Sequence, residues 1–256
     1  MKALLHALRS EDKLHILNGL EGLARRLPDL GDSDFEEAVQ AVIGLFYVDP
    51  ADHPEMVPVL EQAEGILADQ GTRAFPAIFR SLQESDLKVH FHLAAALGRM
   101  GYGALEPLLE AYRQAKEPYL RIFALFALGK IRDARVIEAL PVLFAALEDP
   151  NPEVRDTAAR ALGKVVEVTP PGSVPGRARA EMFVRLLARA SDRFAGVRSK
   201  AIRSLGKMAR FGLLQEEQRA LLSRLLSRAL GEGDAENWDL AYIVRAEAEK
   251  ARKYLG

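Results

Sequence analysis

Four segments of this chain can be laid over one another without a gap: VHFHLAAALGR (89–99), LRIFALFALGK (120–130), VRDTAARALGK (154–164) and VRSKAIRSLGK (197–207). In each, a glycine stands nine residues after the first position, at Gly98, Gly129, Gly163 and Gly206. A basic residue follows every one of them, at Arg99, Lys130, Lys164 and Lys207. A fifth segment, VRAEAEKARKY (244–254), keeps the valine–arginine opening and loses the glycine. Segment starts are separated by 31, 34, 43 and 47 residues. Self-similarity at this period is the signature of a repeat array and overrides any reading of single segments. A second marker is independent of the first: Pro76, Pro107 and Pro141 each stand 13 residues ahead of a segment start, at Val89, Leu120 and Val154.

The unit is therefore a helix with an early proline, a short turn, and a second helix rich in small residues. Turn signals recur at helix length, and period-2 alternation is absent. The stretches VTPPGSVPGR (168–177) and FGLLQEEQ (211–218) absorb the two longest spacings as loops or helix starts. Weaker copies stand upstream, in the periodicity of Ile16, Leu20 and Leu23 and of Val59, Ala63, Ile66 and Leu67. The expected fold is all-α, a right-handed α-α superhelix of about seven helix pairs filling residues 1–256. Within it, residues 1–70 are degenerate acidic repeats, 72–210 well-formed ones and 211–256 a C-terminal cap. A single pair cannot bury its apolar face alone, so neighbours must stack. Alanines and glycines let the second helices approach closely.

Two sets of residues follow from the register. Asp149, Asp192 and Asp239 stand six residues before Arg155, Arg198 and Arg245. An aspartate in the inter-helix turn and an arginine one helical turn further in are placed to bond between stacked units, and bidentate geometry suits such a ladder. Counted from the first residue, positions 1, 5, 8 and 12 of each second helix form an apolar stripe, at roughly 100° per residue. Positions 3, 7, 10 and 14 point to the concave side. They carry Phe91, Ile122 and Phe126 in two units and Asp156, Arg160, Ser199, Arg203 and Arg210 in the next two. The candidate partner-binding residues are thus Phe91, Ile122, Phe126, Arg160, Arg203 and Arg210, apolar first and basic after. The competing reading of YLRIFALFALG (119–129) is a helix buried all round.

Chemistry-bearing constellations are absent from the sequence. There is no cysteine, hence no disulfide, thiolate metal site or cysteine nucleophile. His90 and His92 are two apart on a helix and face different ways. His90 holds the arginine position of the ladder. No metal-ligand spacing, phosphate-binding glycine loop or nucleophile elbow occurs. Glu61 and Glu64 read as a solvated face, and the basic row after the glycines reads as a complement to helix C-termini. Arg185 and Arg189, at i and i+4, read as a solvated face. The expectation is no catalytic residue, no metal and no cofactor. The N-terminus is too polar for a signal peptide and no 18-residue apolar run exists, so a cytoplasmic protein is expected. Net charge is −1, but residues 1–70 hold 5 Lys/Arg against 14 Asp/Glu, and residues 151–210 hold 13 against 5. Such asymmetry speaks to partners rather than fold.

DPNPEVRDTAARALGKV (149–165) and SDRFAGVRSKAIRSLGKM (191–208) resemble HEAT repeats, specifically the short bacterial type also found in phycobilisome lyases. The resemblance rests on the turn aspartate, the valine–arginine pair, the Ala-x-x-Ala/Ser-Leu-Gly run, and Pro107 and Pro141. It implies a protein-binding scaffold that is not an enzyme. Two other functions belong to proteins of this type. One is nucleic-acid binding or alkylated-base excision, which the near-neutral charge and lone Trp238 argue against. The other is a bilin lyase or chromophore chaperone. A protein or peptide partner on the concave face is the expected function, with no membrane or nucleic-acid partner and with self-association open.

Overall fold

Asn151 shows how local chemistry starts a repeat. Its side chain accepts from the backbone N–H groups of Glu153 and Val154, and Pro152 occupies the first turn, where an N–H would have no partner. Asp12 and Asp86 cap two other helices the same way. The computed structural model describes residues 1–84, 86–232 and 238–255, with the side chains of Gln83, Glu84 and Leu87 left aside. Fourteen α-helices and no strand occur among the described residues.

The chain divides into two compact units, Met1–Pro107 and Leu108–Gly256. The first holds α1 (Lys2–Ala7), α2 (Lys13–Ala24), α3 (Asp32–Gly44), α4 (Val57–Asp69), α5 (Phe75–Glu84) and α6 (Leu87–Arg99). The helix α7 (Leu105–Gln114) begins at its end. The second holds α8 (Pro118–Leu128), α9 (Leu140–Ala146), α10 (Pro152–Val168), α11 (Gly176–Arg189), α12 (Ala195–Arg210), α13 (Glu216–Leu230) and α14 (Tyr242–Arg252). In chain order the helices alternate as first and second members of seven pairs. Pro76, Pro107 and Pro141 all sit in the first turn of α5, α7 and α9, where proline costs no hydrogen bond.

Within the first unit α2, α4 and α6 pack in a row; within the second, α8, α10, α12 and α14 do. The repeat glycines mark where the second row is tightest. A Cβ on Gly163 would overlap the Ser204 hydroxyl of α12 and lie 3.2 Å from Lys207 Cδ. One on Gly206 would lie 2.8 Å from Ala251 Cβ and 3.1 Å from its Cα, on α14. The Ser204 hydroxyl is itself buried and donates to the Ala159 carbonyl at 2.7 Å, tying α12 to α10. Such close approach is open only to residues without bulk.

Gly163 and Gly206 do not end their helices, so the helix-terminal reading of the basic row fails at Lys164, while Arg99 and Lys207 do lie in the last turns of α6 and α12. Helix α10 runs on to Val168 and α12 to Arg210, because Val165, Val166, Met208 and Ala209 continue the buried stripe. Lys164 therefore lies inside its helix. Ser199, expected on the open face, is buried and donates to the Gly196 carbonyl. Among the described residues no helix is long and apolar enough to cross a membrane.

Gly163→Val should lower stability by about 1–3 kcal/mol, read as a fall in the urea midpoint, because the added branch meets Ser204. Gly172→Val should leave the midpoint in place, since nothing stands within 4 Å of a Cβ there. Equal midpoints for the two variants would remove the close contact at Gly163 as a determinant of stability.

Candidate functional site

An arginine at the second position of each second helix in the Leu108–Gly256 unit turns back toward its own turn. Arg155 Nη1 donates to the carbonyls of Asp149 and Pro150 at 2.8 and 3.1 Å. Its other edge forks onto Asp192 of the following unit, Nε to Oδ2 at 2.8 Å and Nη2 to Oδ1 at 3.0 Å. Arg198 repeats this with the carbonyls of Asp192 and Arg193 and the carboxylate of Asp239, at 2.6 and 2.8 Å. Arg121, which sequence reasoning missed, does the same with the carbonyls of Ala115 and Lys116 and with Asp149. Each aspartate also accepts a backbone N–H in its own turn, from Asn151, Phe194 or Ala241. Arg245 keeps the carbonyl half, to Asp239 and Leu240, and lies over the Trp238 ring at 4.0 Å in place of a carboxylate.

Electrostatics follow the geometry. Burial pushes the Asp192 and Asp239 carboxyls up, but the forked hydrogen bonds from Arg155 and Arg198 outweigh it and hold both below the usual range. The Asp239 hydrogen bond in turn raises Arg198 further.

The surface beside this ladder carries the residues singled out for binding, and the structure brings only some of them together. Ile122 and Phe126 are half-buried on α8. Arg160, exposed on α10, lies over the Phe126 ring at 5.3 Å, and Lys130 Nζ lies 5.1 Å from the same centroid. Phe126, Lys130, Arg132, Thr157, Arg160 and Lys164 line a cavity of about 110 Å³. Phe91 is exposed but belongs to the Met1–Pro107 unit. Arg203 is forked onto Glu247 at 2.9 and 2.6 Å, so its charge is neutralised within the row. Glu247 also takes Lys250 at 3.1 Å, and the Arg203 hydrogen bond keeps its carboxyl low. Arg210 is exposed over the rings of Phe211 and Tyr254.

Other charged residues are likewise committed. Glu167 receives Lys164 at 2.8 Å and Lys207 at 2.9 Å, and burial pushes the Lys207 ammonium down. Burial likewise raises the Asp156 carboxyl, against the pull of Lys200, Arg160 and Arg203. Arg185 and Arg189 converge on Glu148. Glu64 does not belong to a solvated face: it is 8% exposed, with His92 Nδ1 at 2.8 Å and Arg99 Nη2 at 3.0 Å. The His92 ring stacks on Phe46 at 4.9 Å. No group of three or more His, Asp or Glu side chains placed to hold a metal ion occurs among the described residues.

Comparison with known proteins agrees with this architecture. Residues 105–175 match the family of HEAT repeats. No curated protein matches the sequence. Among solved structures, the complex of CpcE and CpcF of phycocyanin lyase from Nostoc sp. PCC7120 is similar at 23% identity. The match covers 70% of this chain and 98% of that one, with a TM-score of 0.55. The karyopherin Kap121p, solved bound to the extreme C-terminus of the protein phosphatase Cdc14p, is 14% identical with a TM-score of 0.60. That match covers all of this chain and 29% of Kap121p. An engineered protein is 18% identical over 92% of this chain and 96% of its own, at a TM-score of 0.52. At these identities the likeness is one of fold: an all-helical array of HEAT-like repeats.

Arg155→Ala should cost about 3 kcal/mol, where the ranges for an orphaned buried acceptor and a broken buried pair meet. Arg160→Ala should cost less than about 0.5 kcal/mol, as an exposed substitution does. Urea unfolding of both variants measures the difference. Because Asp192 is held below its ordinary 3.8 in the fold, the stability it supplies is present above that value and is lost as pH falls through the lower folded one. Arg155→Ala should therefore show a shallower loss of stability than the wild type as pH falls below about 4. Parallel acid titrations of stability would contradict the fork as the cause.

Proposed function

We propose that this protein is a non-enzymatic scaffold that holds a protein or peptide partner on the exposed face of α8 and α10. The observation that carries this reading is the Phe126 cavity. The half-buried Phe126 ring and Ile122 stand one helical turn apart on α8, and exposed cations rim the ring. Apolar surface rimmed by charge is what a contact site offers, because the ring supplies affinity and the charges orient the partner. The Kap121p complex supports the reading by analogy, since a repeat array of similar fold there holds a short terminal segment of another protein. Arg203 and Lys207 serve ion pairs between repeats and leave no acid–base pair facing the cavity.

Not all of the residues expected on the concave side belong to this site. Arg203 is engaged by Glu247, so the basic stretch beyond Arg160 is not an acidic partner's main contact. Ile122, Phe126 and Arg160 are the core of the site.

Capture of partners from native lysate on immobilised protein, followed by mass spectrometry, tests the proposal. Species retained by the wild type should be lost with Phe126→Ala, through a dissociation rate raised by about tenfold or more, as befits a buried anchor. They should persist with Val184→Ala, an exposed position on the first-helix side. Retention by both variants would place the interface elsewhere.

A further inference from the structure

Three junctions between consecutive second helices carry an ion pair from one helix to the other, and the α8–α10 junction is built differently. Between α4 and α6, Glu64 takes His92 and Arg99. Between α10 and α12, Glu167 takes Lys207 as well as Lys164 of its own helix. Between α12 and α14, Glu247 takes Arg203. Each of these junctions thus neutralises its cations with a carboxylate drawn from one of the two helices. Across the α8–α10 junction Glu167 of α10 reaches Lys164 of its own helix and no residue of α8. The cavity there is lined by Lys130, Arg132, Arg160 and Lys164, and no acidic side chain lines it. Thr157 holds the fourth position of α10, the place where α14 carries Glu247, and its hydroxyl is turned to the Glu153 carbonyl of its own helix.

The cations here are not equivalent. Lys164 is served by Glu167. Arg132 and Arg160 are in no salt bridge and donate no hydrogen bond among the described residues. Arg160 instead lies against the Phe126 ring. A ring attracts the flat face of a guanidinium and leaves its N–H edge unused. That edge is the part that forks onto a carboxylate, as Arg155, Arg198 and Arg203 do elsewhere in this unit. The cavity of about 110 Å³ is lined by both Arg132 and Arg160, and a carboxylate is an anion onto which a guanidinium edge can fork.

We propose that the cavity between α8 and α10 is a carboxylate-binding site, filled by an aspartate or glutamate side chain of the partner and held by Arg160 and Arg132 beside the Phe126 ring. The proposal rests on the reading of this face as the partner site and adds its chemical specificity: one acidic side chain next to an apolar anchor. The partner supplies to this junction the anion that the other junctions supply to themselves.

The probe is acetate, titrated into isotopically labelled full-length protein at constant ionic strength, with chloride as the reference and inorganic phosphate as a second arm. Backbone amides of Thr157 and Ala161 and the Arg160 side-chain Nε–H should shift saturably with acetate, at a dissociation constant in the millimolar range. Arg160→Gln combined with Arg132→Gln should weaken this by at least about tenfold. Arg185→Gln, whose guanidinium is already paired with Glu181 and Glu148, should not alter it. Circular dichroism confirms that each variant is folded. Shifts no larger than those from chloride, or unchanged in the double variant, overturn the proposal. Saturation by phosphate with none by acetate also overturns it, in favour of a phosphorylated or nucleic-acid ligand. The partner-capture experiment separates this proposal from the one beneath it. Capture lost with Phe126→Ala but kept with the double arginine variant retains the partner face and rejects the carboxylate.

Discussion

In three consecutive repeats of the Leu108–Gly256 unit, one guanidinium joins its own helix, the turn before it and the turn of the next repeat. Arg155 holds the carbonyls of the turn before its own helix and, on the opposite edge, the carboxylate of the next turn. Both partners are nearly removed from water, with side-chain exposures of 8% and 4%. Burying two charges is costly unless geometry and additional hydrogen bonds compensate. Here they do: the arginine meets two backbone acceptors and a forked anion, and the aspartate adds a backbone N–H from Phe194. The gain is less in net energy than in registration. A stack of helix pairs held by aliphatic packing alone slides with little penalty, whereas a forked pair accepts only one offset.

That offset is what allows the glycine contacts. Gly163 against Ser204 and Gly206 against Ala251 are close enough that a shift of an ångström would put larger side chains into the same space. Ser204 adds a polar lock at the tightest point, giving its hydroxyl to the Ala159 carbonyl in a fully buried position. On α14 the corresponding outward positions carry Glu249, Arg252 and Lys253, all exposed, where α12 carries Ile202, Leu205 and Gly206.

Much of this was legible in the sequence, and what was not has a physical cause. The glycine register and the early prolines announced the helix pairs because both are backbone requirements, fixed by sterics at their own position. The six-residue spacing of Asp149 and Arg155 pointed to the same residues for a different reason than the one found. Within a repeat the spacing brings the arginine to the backbone of that turn, and the carboxylate comes from the repeat that follows. Arg121 was overlooked for that reason: Ala115 stands where the other turns have aspartate, and the loss does not matter, because its anion is Asp149 downstream. Glu64 and Arg203 read from the sequence as surface charges, and Lys207 as a complement to its helix C-terminus alone. Helical periodicity gives the side of a helix a residue lies on but not the sign of the charge opposite it, so pairings with Arg99, Glu247 and Glu167 appear only when the helices are set side by side.

The three ladder pairs span 28, 37 and 41 residues of chain, yet each arginine presents the same fork to a carboxylate and the same Nη1 to two carbonyls of its own turn. The residues that differ in number lie within and around the first helices, including the segment of 169–175 that leads into α11 and that of 211–215 that leads into α13. The fork is therefore blind to contour length: it measures where one turn sits over the next, not how much polypeptide was spent in travelling between them. Loop-closure entropy grows only with the logarithm of that length. An array built on this joint can lengthen any of its outer connections, acquire a foreign segment there, or lose one, while the inner row keeps its pitch.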